Sequence, residues 1–237
     1  MTAFRNFVAA ILILATVPLM GQKESDLVGA WEETSPGGTK AVWIISKDHF
    51  SIAYYQQQQF EYTEGGKWDL DDQGMIQLTW EFHTKEKDKV GKQERYPIKK
   101  TKAGLSFRDT QWQQVDKGKP GKLAGAWLIT GRQRNGEMRN RQPGARKTMK
   151  ILSGTRFQWI AYNSETGEFL GTGGGTYTTV KGVYTERIGF FSRDNTRVGA
   201  ELPFSFELKE GKWHHSGKSS KGDPIYEIWS TRTSLGI

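Results

Sequence analysis

The chain of 237 residues contains no cysteine and only four histidines. Without cysteine it can form no disulfide framework and carry no lipid on a cysteine after a leader, so its folded state must depend on hydrophobic cores. Four histidines and no thiolate also leave few ligands for zinc or haem, and we expect no metal and no cofactor. His214 and His215 are adjacent, but neighbours in a strand point to opposite faces and cannot chelate one ion together.

The sequence motifs of several enzyme classes are also missing. The chain has no Gly-x-Ser-x-Gly turn, no cysteine nucleophile and no His-Glu-x-x-His helix. The segment 69–74 begins like a calcium-binding loop, but Trp80 stands where such a loop requires Glu. The glycine-rich run 171–175 lacks the Gly-Lys-Ser/Thr of a phosphate-binding loop, and glycine within a strand more often marks a bulge. We therefore expect a protein that is not an enzyme.

Only one long apolar run is present, and it lies at the start of the chain. Arg5 precedes apolar residues from Phe7 to Met20, and charged residues begin again at Lys23. A short basic lead and an apolar run of this length are typical of a secretory signal peptide, here residues 1–21. The alternative is a retained membrane anchor, which usually needs about 20 apolar residues. We therefore expect an exported protein, secreted or periplasmic, whose mature chain has no transmembrane segment.

The rest of the chain favours strands over helices. Aromatic residues make up 12% of the sequence, and 28 residues are glycine. Short segments in which apolar and polar residues alternate are separated by turn sequences such as Pro36-Gly37-Gly38. This pattern predicts about eight strands between residues 29 and 116, and about eight more between residues 125 and 232.

The two sets of strands begin with nearly the same sequence. Leu27-Val28-Gly29-Ala30-Trp31 recurs as Leu123-Ala124-Gly125-Ala126-Trp127. A repeat of this size indicates two domains, which we place at residues 27–116 and 123–233. The segment 117–122 between them has no apolar residue to bury and is predicted to be a linker.

Eight strands joined by short turns predict a small up-and-down antiparallel β-barrel in each domain. Closing the meander pairs both edge strands, and eight strands leave room inside for side chains or for one small ligand. The predicted fold is therefore all-β, with two tandem barrels. A two-sheet sandwich is the alternative.

Three sequence features carry a resemblance to a known family. The two Gly-Ala-Trp sequences resemble the Gly-x-Trp that opens the first strand in the lipocalin and calycin group, and Arg232 is similar to the basic residue that follows the last strand there. The run from Gly173 to Tyr177 resembles lipocalin-like domains of uncharacterised secreted bacterial proteins. The resemblance implies that Arg232 stacks on Trp127 and closes the floor of the second barrel. The first repeat has no arginine at this place, so its floor is expected to close differently.

Positive charge is unevenly distributed along the chain. Residues 27–116 carry 12 Lys or Arg against 14 Asp or Glu, whereas residues 117–237 carry 20 against 10. The excess is concentrated in the segment 131–147, which includes Arg132, Arg134, Arg139 and Arg141. In an up-and-down barrel this segment lies opposite the Gly-x-Trp floor, together with the loops that contain Arg193, Arg197, Lys218 and Lys221. We therefore predict a positive rim at one end of the second barrel.

The alternation within strands also predicts side chains that line the second barrel. The predicted ligand-binding residues of the interior are Trp159, Tyr177, Glu186, Phe204, Trp213 and His215. Glu186 shares a strand face with Tyr184, Ile188 and Phe190. If that face points inward, the buried carboxylate needs a partner, for which Tyr177 or an arginine is expected. Glu186 then either anchors a ligand or forms a structural pair, and an outward-facing Glu186 is a further alternative.

Two functions fit these features. In the first, the protein is a secreted binding protein whose second barrel carries a small amphipathic anion, such as a fatty acid or related lipid. The arginines would hold the head group and the aromatic side chains would cover the apolar tail. In the second, both barrels are filled by their own side chains, and the basic face docks on an anionic envelope surface or a partner protein. We expect no nucleic acid partner, because no binding motif for one is present.

Overall fold

Two closed antiparallel β-barrels of eight strands each follow one another along the chain. The computed structural model describes residues 23–219 and 222–237. The predicted all-β fold with two tandem up-and-down barrels is confirmed, and the sandwich alternative is wrong. The signal peptide predicted for residues 1–21 lies outside the described residues. No helix among the described residues is both long and apolar enough to cross a membrane.

The first barrel is a simple meander in which each strand pairs with the next. The last strand then pairs with the first and closes the barrel. Its strands are β1 (Gly29–Thr34), β2 (Lys40–Ile45), β3 (His49–Gln56), β4 (Gln59–Leu70), β5 (Met75–His83), β6 (Gln93–Thr101), β7 (Gly104–Phe107) and β8 (Thr110–Asp116).

The second barrel repeats this meander with one additional strand. Its strands are β9 (Gly125–Arg134), β10 (Glu137–Asn140), β11 (Arg146–Leu152), β12 (Arg156–Asn163), β13 (Phe169–Val180), β14 (Val183–Phe191), β15 (Glu201–Lys209), β16 (Lys212–Lys218) and β17 (Pro224–Thr231). Strand β17 pairs with β9 and closes the barrel, while β10 pairs only with the outer end of β9. Short 3₁₀ turns occur at Glu24–Asp26, Lys87–Lys89, Asn195–Arg197 and Thr233–Leu235.

The arginine-rich segment that was predicted as a loop is largely a β-hairpin. Its tip is Asn135-Gly136, with φ angles of 51° and 83°. Asn-Gly is the preferred sequence for a two-residue hairpin turn, because both positions need positive φ. The register places Arg139 opposite Arg132 across the hairpin. The hairpin therefore holds the backbone of its arginines in strand pairing rather than in a free loop.

The repeated Leu-x-Gly-Ala-Trp sequence forms the floor of each barrel. The indole Nε1 of Trp31 donates a hydrogen bond to the carbonyl of Leu27 at 2.8 Å, and Trp127 does the same to Leu123 at 2.9 Å. All four side chains are buried. In the first barrel, a Cβ on Gly29 would lie 2.1 Å from the carbonyl oxygen of Asp116, so this position requires glycine.

The two barrels pack side by side through apolar outer faces. The residues buried between them are Val42, Ile44 and Phe82 of the first barrel and Ala126, Leu128, Met149, Ile151, Ile160 and Tyr162 of the second. Strands such as β2 are consequently buried on both faces. This is why the sequence Lys40–Ile45 is apolar almost throughout and does not alternate.

The contact between the barrels has approximate twofold symmetry. The ring of Tyr162 lies 4.9 Å from that of Phe82, and the ring of Tyr55 lies 5.0 Å from that of Phe190. Strand registers show that Tyr55 and Tyr162 occupy equivalent positions of the two repeats, as do Phe82 and Phe190. Each barrel thus offers the other the same surface, as in an isologous dimer.

Arg232 belongs to this interface and not to the floor of its own barrel. Its guanidinium forms a bidentate ion pair with Glu81 of the first barrel, with N–O distances of 2.6 and 2.8 Å. The hydroxyl of Tyr162 donates to the same carboxylate. The resemblance implied that Arg232 stacks on Trp127, and this is wrong. Arg232 binds Glu81 instead, because a planar guanidinium fits a carboxylate in two parallel hydrogen bonds.

The floor of the first barrel closes with a lysine. The ammonium of Lys100 lies 5.5 Å from the centroid of the Trp31 ring. A cation–π contact is therefore present in the repeat that lacks the arginine.

The segment 117–122 is held against the second barrel. The Asp116 carboxylate accepts hydrogen bonds from the backbone of Gly154 and Thr155, both at 2.9 Å, and from the Ser153 hydroxyl at 2.8 Å. The amide of Gly121 donates to the carbonyl of Gly154 at 2.8 Å. The connection between the barrels is therefore fixed by hydrogen bonds at both of its ends.

The ion pair across the interface predicts a loss of stability in acid. Burial raises the pKa of Glu81, but the hydrogen bonds and charge of Arg232, with help from Tyr162, lower it further, from an ordinary 4.5 to about 2. A lowered pKa means that the stabilisation is complete above about pH 4.5 and is lost as the pH falls towards 2. At neutral pH we expect Glu81→Gln to cost about 3–5 kcal/mol, because Arg232 is left buried without a counter-charge.

Thermal unfolding of both proteins between pH 7 and pH 2 tests this prediction. The difference in melting temperature between wild type and Glu81→Gln should shrink as the pH falls through this window. Glu201→Gln, which changes an exposed glutamate, should leave the melting temperature nearly unchanged throughout. A difference that stays constant down to pH 2 would contradict the assigned ion pair.

Candidate ligand-binding site in the second barrel

The lower half of the second barrel is filled by aromatic side chains. The Trp213 ring lies 5.8 Å from both Trp127 and Trp229, and 5.1 Å from Tyr184. Trp213 and Tyr184 are completely buried. Of the residues predicted to line the interior, Trp213 and Phe204 therefore belong to a packed core.

A buried ion pair lies at the centre of this aromatic core. The Nζ of Lys150 is 2.8 Å from Oε1 of Glu186, and the Tyr184 hydroxyl donates to the same oxygen at 2.8 Å. Lys150 is 6% exposed and Glu186 is 4% exposed. Glu186 therefore faces inward, but its partners are Lys150 and Tyr184. Tyr177, the expected partner, donates instead to the carbonyl of Ser153 at 2.6 Å.

Aromatic rings surround the ammonium group of Lys150. It lies between 5.0 and 5.7 Å from four ring centroids, those of Tyr184, Phe204, Trp213 and Trp229. Each ring presents its negative face to the cation, which compensates part of the hydration that Lys150 loses on burial. Burial, and then the charge of Glu186, raise the pKa of Tyr184 well above its usual value, so this hydroxyl remains a hydrogen-bond donor.

The first barrel has no charges at the equivalent positions. Opposite the floor tryptophan, β2 carries Trp43 where β11 carries Lys150. In the same way, β5 carries Leu78 where β14 carries Glu186. Apolar replacements of a buried ion pair are often neutral or stabilising, so the pair is not needed to build this barrel. The charges in the second barrel therefore mark a candidate functional site.

A second charged layer lies above the first. Glu227 accepts a hydrogen bond from Trp229 Nε1 at 3.2 Å and forms an ion pair with Arg132 at 3.0 Å. Burial raises the pKa of Glu227, but the neighbouring His215, Lys150 and Arg132 lower it further, so the carboxylate stays ionised.

His215 lies beside this layer. Burial, and then the charge of Lys150, lower the pKa of His215. Its Nδ1 is 3.4 Å from Glu227 without the alignment of a hydrogen bond, and its Nε2 has no partner among residues 23–219 and 222–237. The ring packs 4.3 Å from that of Phe204 and is 2% exposed. A buried ring nitrogen without a partner is uncommon, and that of His215 lies just below the open end of the barrel.

The open end of the barrel forms a basic pocket of about 1030 Å³. The hairpin contributes Arg132, Arg134 and Arg139, the β14–β15 connection contributes Arg193, and the start of β17 contributes Tyr226. Below this rim, several apolar side chains of the upper interior remain partly exposed. They are Trp159, Phe191, Leu202, Phe206 and Ile225.

Four of the six arginines that were predicted at the rim line this pocket together, and Arg141 and Arg197 do not. Arg141 is exposed but lies outside the pocket, with its amide bonded to the carbonyl of Thr130. Arg197 pairs with Asp194 at 3.5 Å, and Lys221 lies outside the described residues.

Phe190 does not share the inward face on which the alternation placed it. A β-bulge at Gly174–Gly175 shifts the register, so Phe190 packs against the first barrel and Phe191 turns inward, 5.6 Å from Trp159. A Cβ on Gly175 would lie 2.1 Å from the Arg187 carbonyl oxygen, so the bulge requires glycine. The glycine-rich run was expected to contain a bulge, but its effect on Phe190 was missed.

Lys150 is the functional candidate that sequence reasoning did not find. It stands between Met149 and Ile151 in a strand that is buried on both faces. The hairpin of β9 and β10 lengthens the second repeat, so an alignment on the floor tryptophans pairs Trp43 with Arg139. Only the strand pairing shows that Lys150 is equivalent to Trp43.

The chain matches no family model and no curated protein. Among the described residues, no group of three or more His, Cys, Asp or Glu side chains is arranged to hold a metal ion.

The apolar residues at the equivalent positions of the first barrel predict how the replacement of Lys150 changes stability. Lys150→Met should lower the free energy of unfolding by about 3–5 kcal/mol, because Glu186 is left buried without a cation. The double variant Lys150→Met/Glu186→Leu should recover most of this loss, since it reproduces the apolar centre of the first barrel. Urea denaturation measures both values.

Lys209→Met serves as a control at an exposed position and should change the stability by less than about 0.5 kcal/mol. A double variant as unstable as the single one would show that the ion pair is required for folding, which would remove the main reason to assign it a function.

Proposed function

We propose that the protein is an exported, non-catalytic, lipocalin-like binding protein that holds a small amphipathic anion at the open end of its second barrel. The observation that carries this proposal is the pocket that Arg132, Arg134, Arg139 and Arg193 line together with the apolar Ile225 and the aromatic Tyr226. A guanidinium group binds carboxylate or phosphate in a bidentate manner, and apolar rings cover the remainder of such a ligand.

The head group is assigned to the arginines at the tip of the hairpin. Arg132 already pairs with Glu227, whereas neither Arg134 nor Arg139 has an ion-pair partner within the described residues. Both are exposed at the rim and are held by the pairing of β9 with β10. Guanidinium groups without an ion-pair partner can bind an anion without first breaking an internal contact.

The apolar part of the ligand is assigned to the upper interior. Trp159, Phe206 and Ile225 are partly exposed there, while the space below is occupied by the packed rings of Trp213 and Tyr184. This arrangement favours a ligand with a short chain or a single ring system over a long fatty acid. The tail would then end on the layer that contains His215.

The alternative, docking on an anionic envelope surface, is supported by basic residues outside the pocket. Arg141 and Arg146 are exposed on the same domain. Docking of this kind depends on the total charge of the face rather than on particular arginines, and it weakens strongly with salt.

Binding of octanoate, measured by titration calorimetry, distinguishes the two functions. The double variant Arg134→Ser/Arg139→Ser should weaken binding at least about tenfold, because charge-assisted hydrogen bonds contribute about 1.5–3 kcal/mol each. The control Arg141→Ser/Arg146→Ser removes the same charge outside the pocket and should leave binding unchanged.

Vesicles that contain phosphatidylglycerol test the docking function in parallel. Equal loss of vesicle binding in both double variants, without measurable octanoate binding by the wild type, would replace the proposed function with docking. A small anion that is extracted by organic solvent from protein purified from its native envelope, and identified by mass spectrometry, would support the carrier.

A further inference from the structure

A cavity of about 270 Å³ lies between the two barrels, away from the basic pocket. The outer faces of β2 and β3 line it from one side, with Val42, Ile44 and Ala53, and β13 and β14 line it from the other. Tyr55 and Phe190, which stack on each other, both contribute to its wall. The cavity is therefore partly apolar and is lined by residues of both barrels.

The cavity occupies the place that the Glu81 ion pair fills on the other side of the twofold interface. On that side Tyr162 donates its hydroxyl to the carboxylate of Glu81. The equivalent of Tyr162 is Tyr55, and the equivalent of Glu81 is Gly189. The hydroxyl of Tyr55 consequently faces a position from which a carboxylate side chain is missing, and no hydrogen bond of this hydroxyl occurs within the described part of the chain.

Besides Gly189 in place of Glu81, a second small residue enlarges the cavity. Ile160 packs in the filled half of the interface, and its equivalent in the cavity half is Ala53. The glycine at position 189 is not imposed by its backbone, which lies outside the left-handed region. A Cβ there would meet Gly175 Cα at 3.4 Å and the Tyr55 hydroxyl only at 4.0 Å. The small residues therefore maintain the cavity rather than the fold.

The charges around the cavity favour an anion. Arg156 and Lys40 both bind the carboxylate of Glu32, at 2.6 and 3.0 Å, so one negative charge there is shared by two cations. Arg187 also lines the cavity and has no ion-pair partner among the described residues. Burial, and then the charge of Glu32, raise the pKa of Tyr55 to about 12, so its hydroxyl is available as a donor at neutral pH.

We propose that this cavity binds a small monocarboxylic acid with a compact apolar body, whose carboxylate replaces the side chain that Gly189 lacks. The carboxylate accepts a hydrogen bond from Tyr55 and lies in the field of Arg187 and Arg156. The apolar body packs on Val42, Ala53 and Phe190. Pockets for drug-sized ligands measure about 300–1,000 Å³, so a cavity of this size fits a ligand as small as a single substituted ring. This site is separate from the basic pocket and does not depend on the function proposed for it.

Benzoate is the probe for this proposal, and benzamide is the uncharged control of the same shape. We expect saturable benzoate binding by calorimetry and no binding of benzamide. Gly189→Glu should abolish benzoate binding while the protein keeps or raises its melting temperature, because the new carboxylate reproduces the Glu81 contact. Tyr55→Phe should weaken binding about tenfold, as expected for the loss of one hydrogen bond to a charged group.

The variant Arg134→Ser/Arg139→Ser removes any benzoate binding at the basic pocket, and it should keep the benzoate binding that Gly189→Glu abolishes and Tyr55→Phe weakens. The proposal would be overturned if benzoate failed to bind, if Gly189→Glu and Tyr55→Phe bound it unchanged, or if the arginine variant lost it. Should Gly189→Glu fail to fold, Tyr55→Phe and the arginine variant still decide between the two sites.

Discussion

The apolar contact between the two barrels is the constraint on which the rest of the structure depends. An isolated eight-stranded barrel has a polar outer surface, but here β2 and β11 are buried on both faces because each contacts the neighbouring barrel. Several polar side chains that enter this interface have partners there: Arg232 binds Glu81, and Gln158 donates to Thr63 and Thr172 at 2.8 and 3.0 Å. Buried polar groups require such partners, so they fix the relative orientation of the barrels.

Because the two halves share one fold, each equivalent position serves as a comparison for the other. The position opposite the floor tryptophan holds Trp43 in the first barrel and Lys150 in the second. The equivalent position at the interface holds Glu81 in the first barrel and Gly189 in the second. The requirements of strand pairing are the same at both members of a pair. Departures from the apolar or filled arrangement are therefore not required by strand pairing. Lys150 lies in the packed core below the open end, and Gly189 lines the cavity between the barrels.

The architecture could be predicted from the sequence because its determinants are local. Alternating residues, turn sequences and the repeated Gly-Ala-Trp are each visible within a few positions of the chain. The partners of buried charges could not be predicted in this way. Arg232 binds a residue 151 positions away, in the other barrel, and Glu186 takes Lys150 instead of the register neighbour Tyr177. Such choices depend on where side chains meet in three dimensions.

A single local feature accounts for a further error. The bulge opposite Gly174–Gly175 adds one residue, Gly189, to β14 and turns Phe190 outward, which strict alternation cannot represent. A glycine run predicts that a bulge exists, but its position in the ladder is set by pairing with β12 and β14. The predicted inward orientation is therefore confirmed for Tyr184, Glu186 and Ile188 and is wrong for Phe190, which lies beyond the bulge.

The charges of the second barrel also determine how an anion would be oriented at its open end. Lys150 and Arg132 are each matched by a buried carboxylate, Glu186 and Glu227, so the interior is close to neutral. A head group placed deep in the barrel would lose its hydration without gaining a net positive field, and it would lie beside two carboxylates. At the rim, Arg134 and Arg139, which have no ion-pair partner in the described part of the chain, attract it while water still solvates it. In the proposed function the anionic group therefore stays outside, and the apolar part of the ligand points towards Trp159.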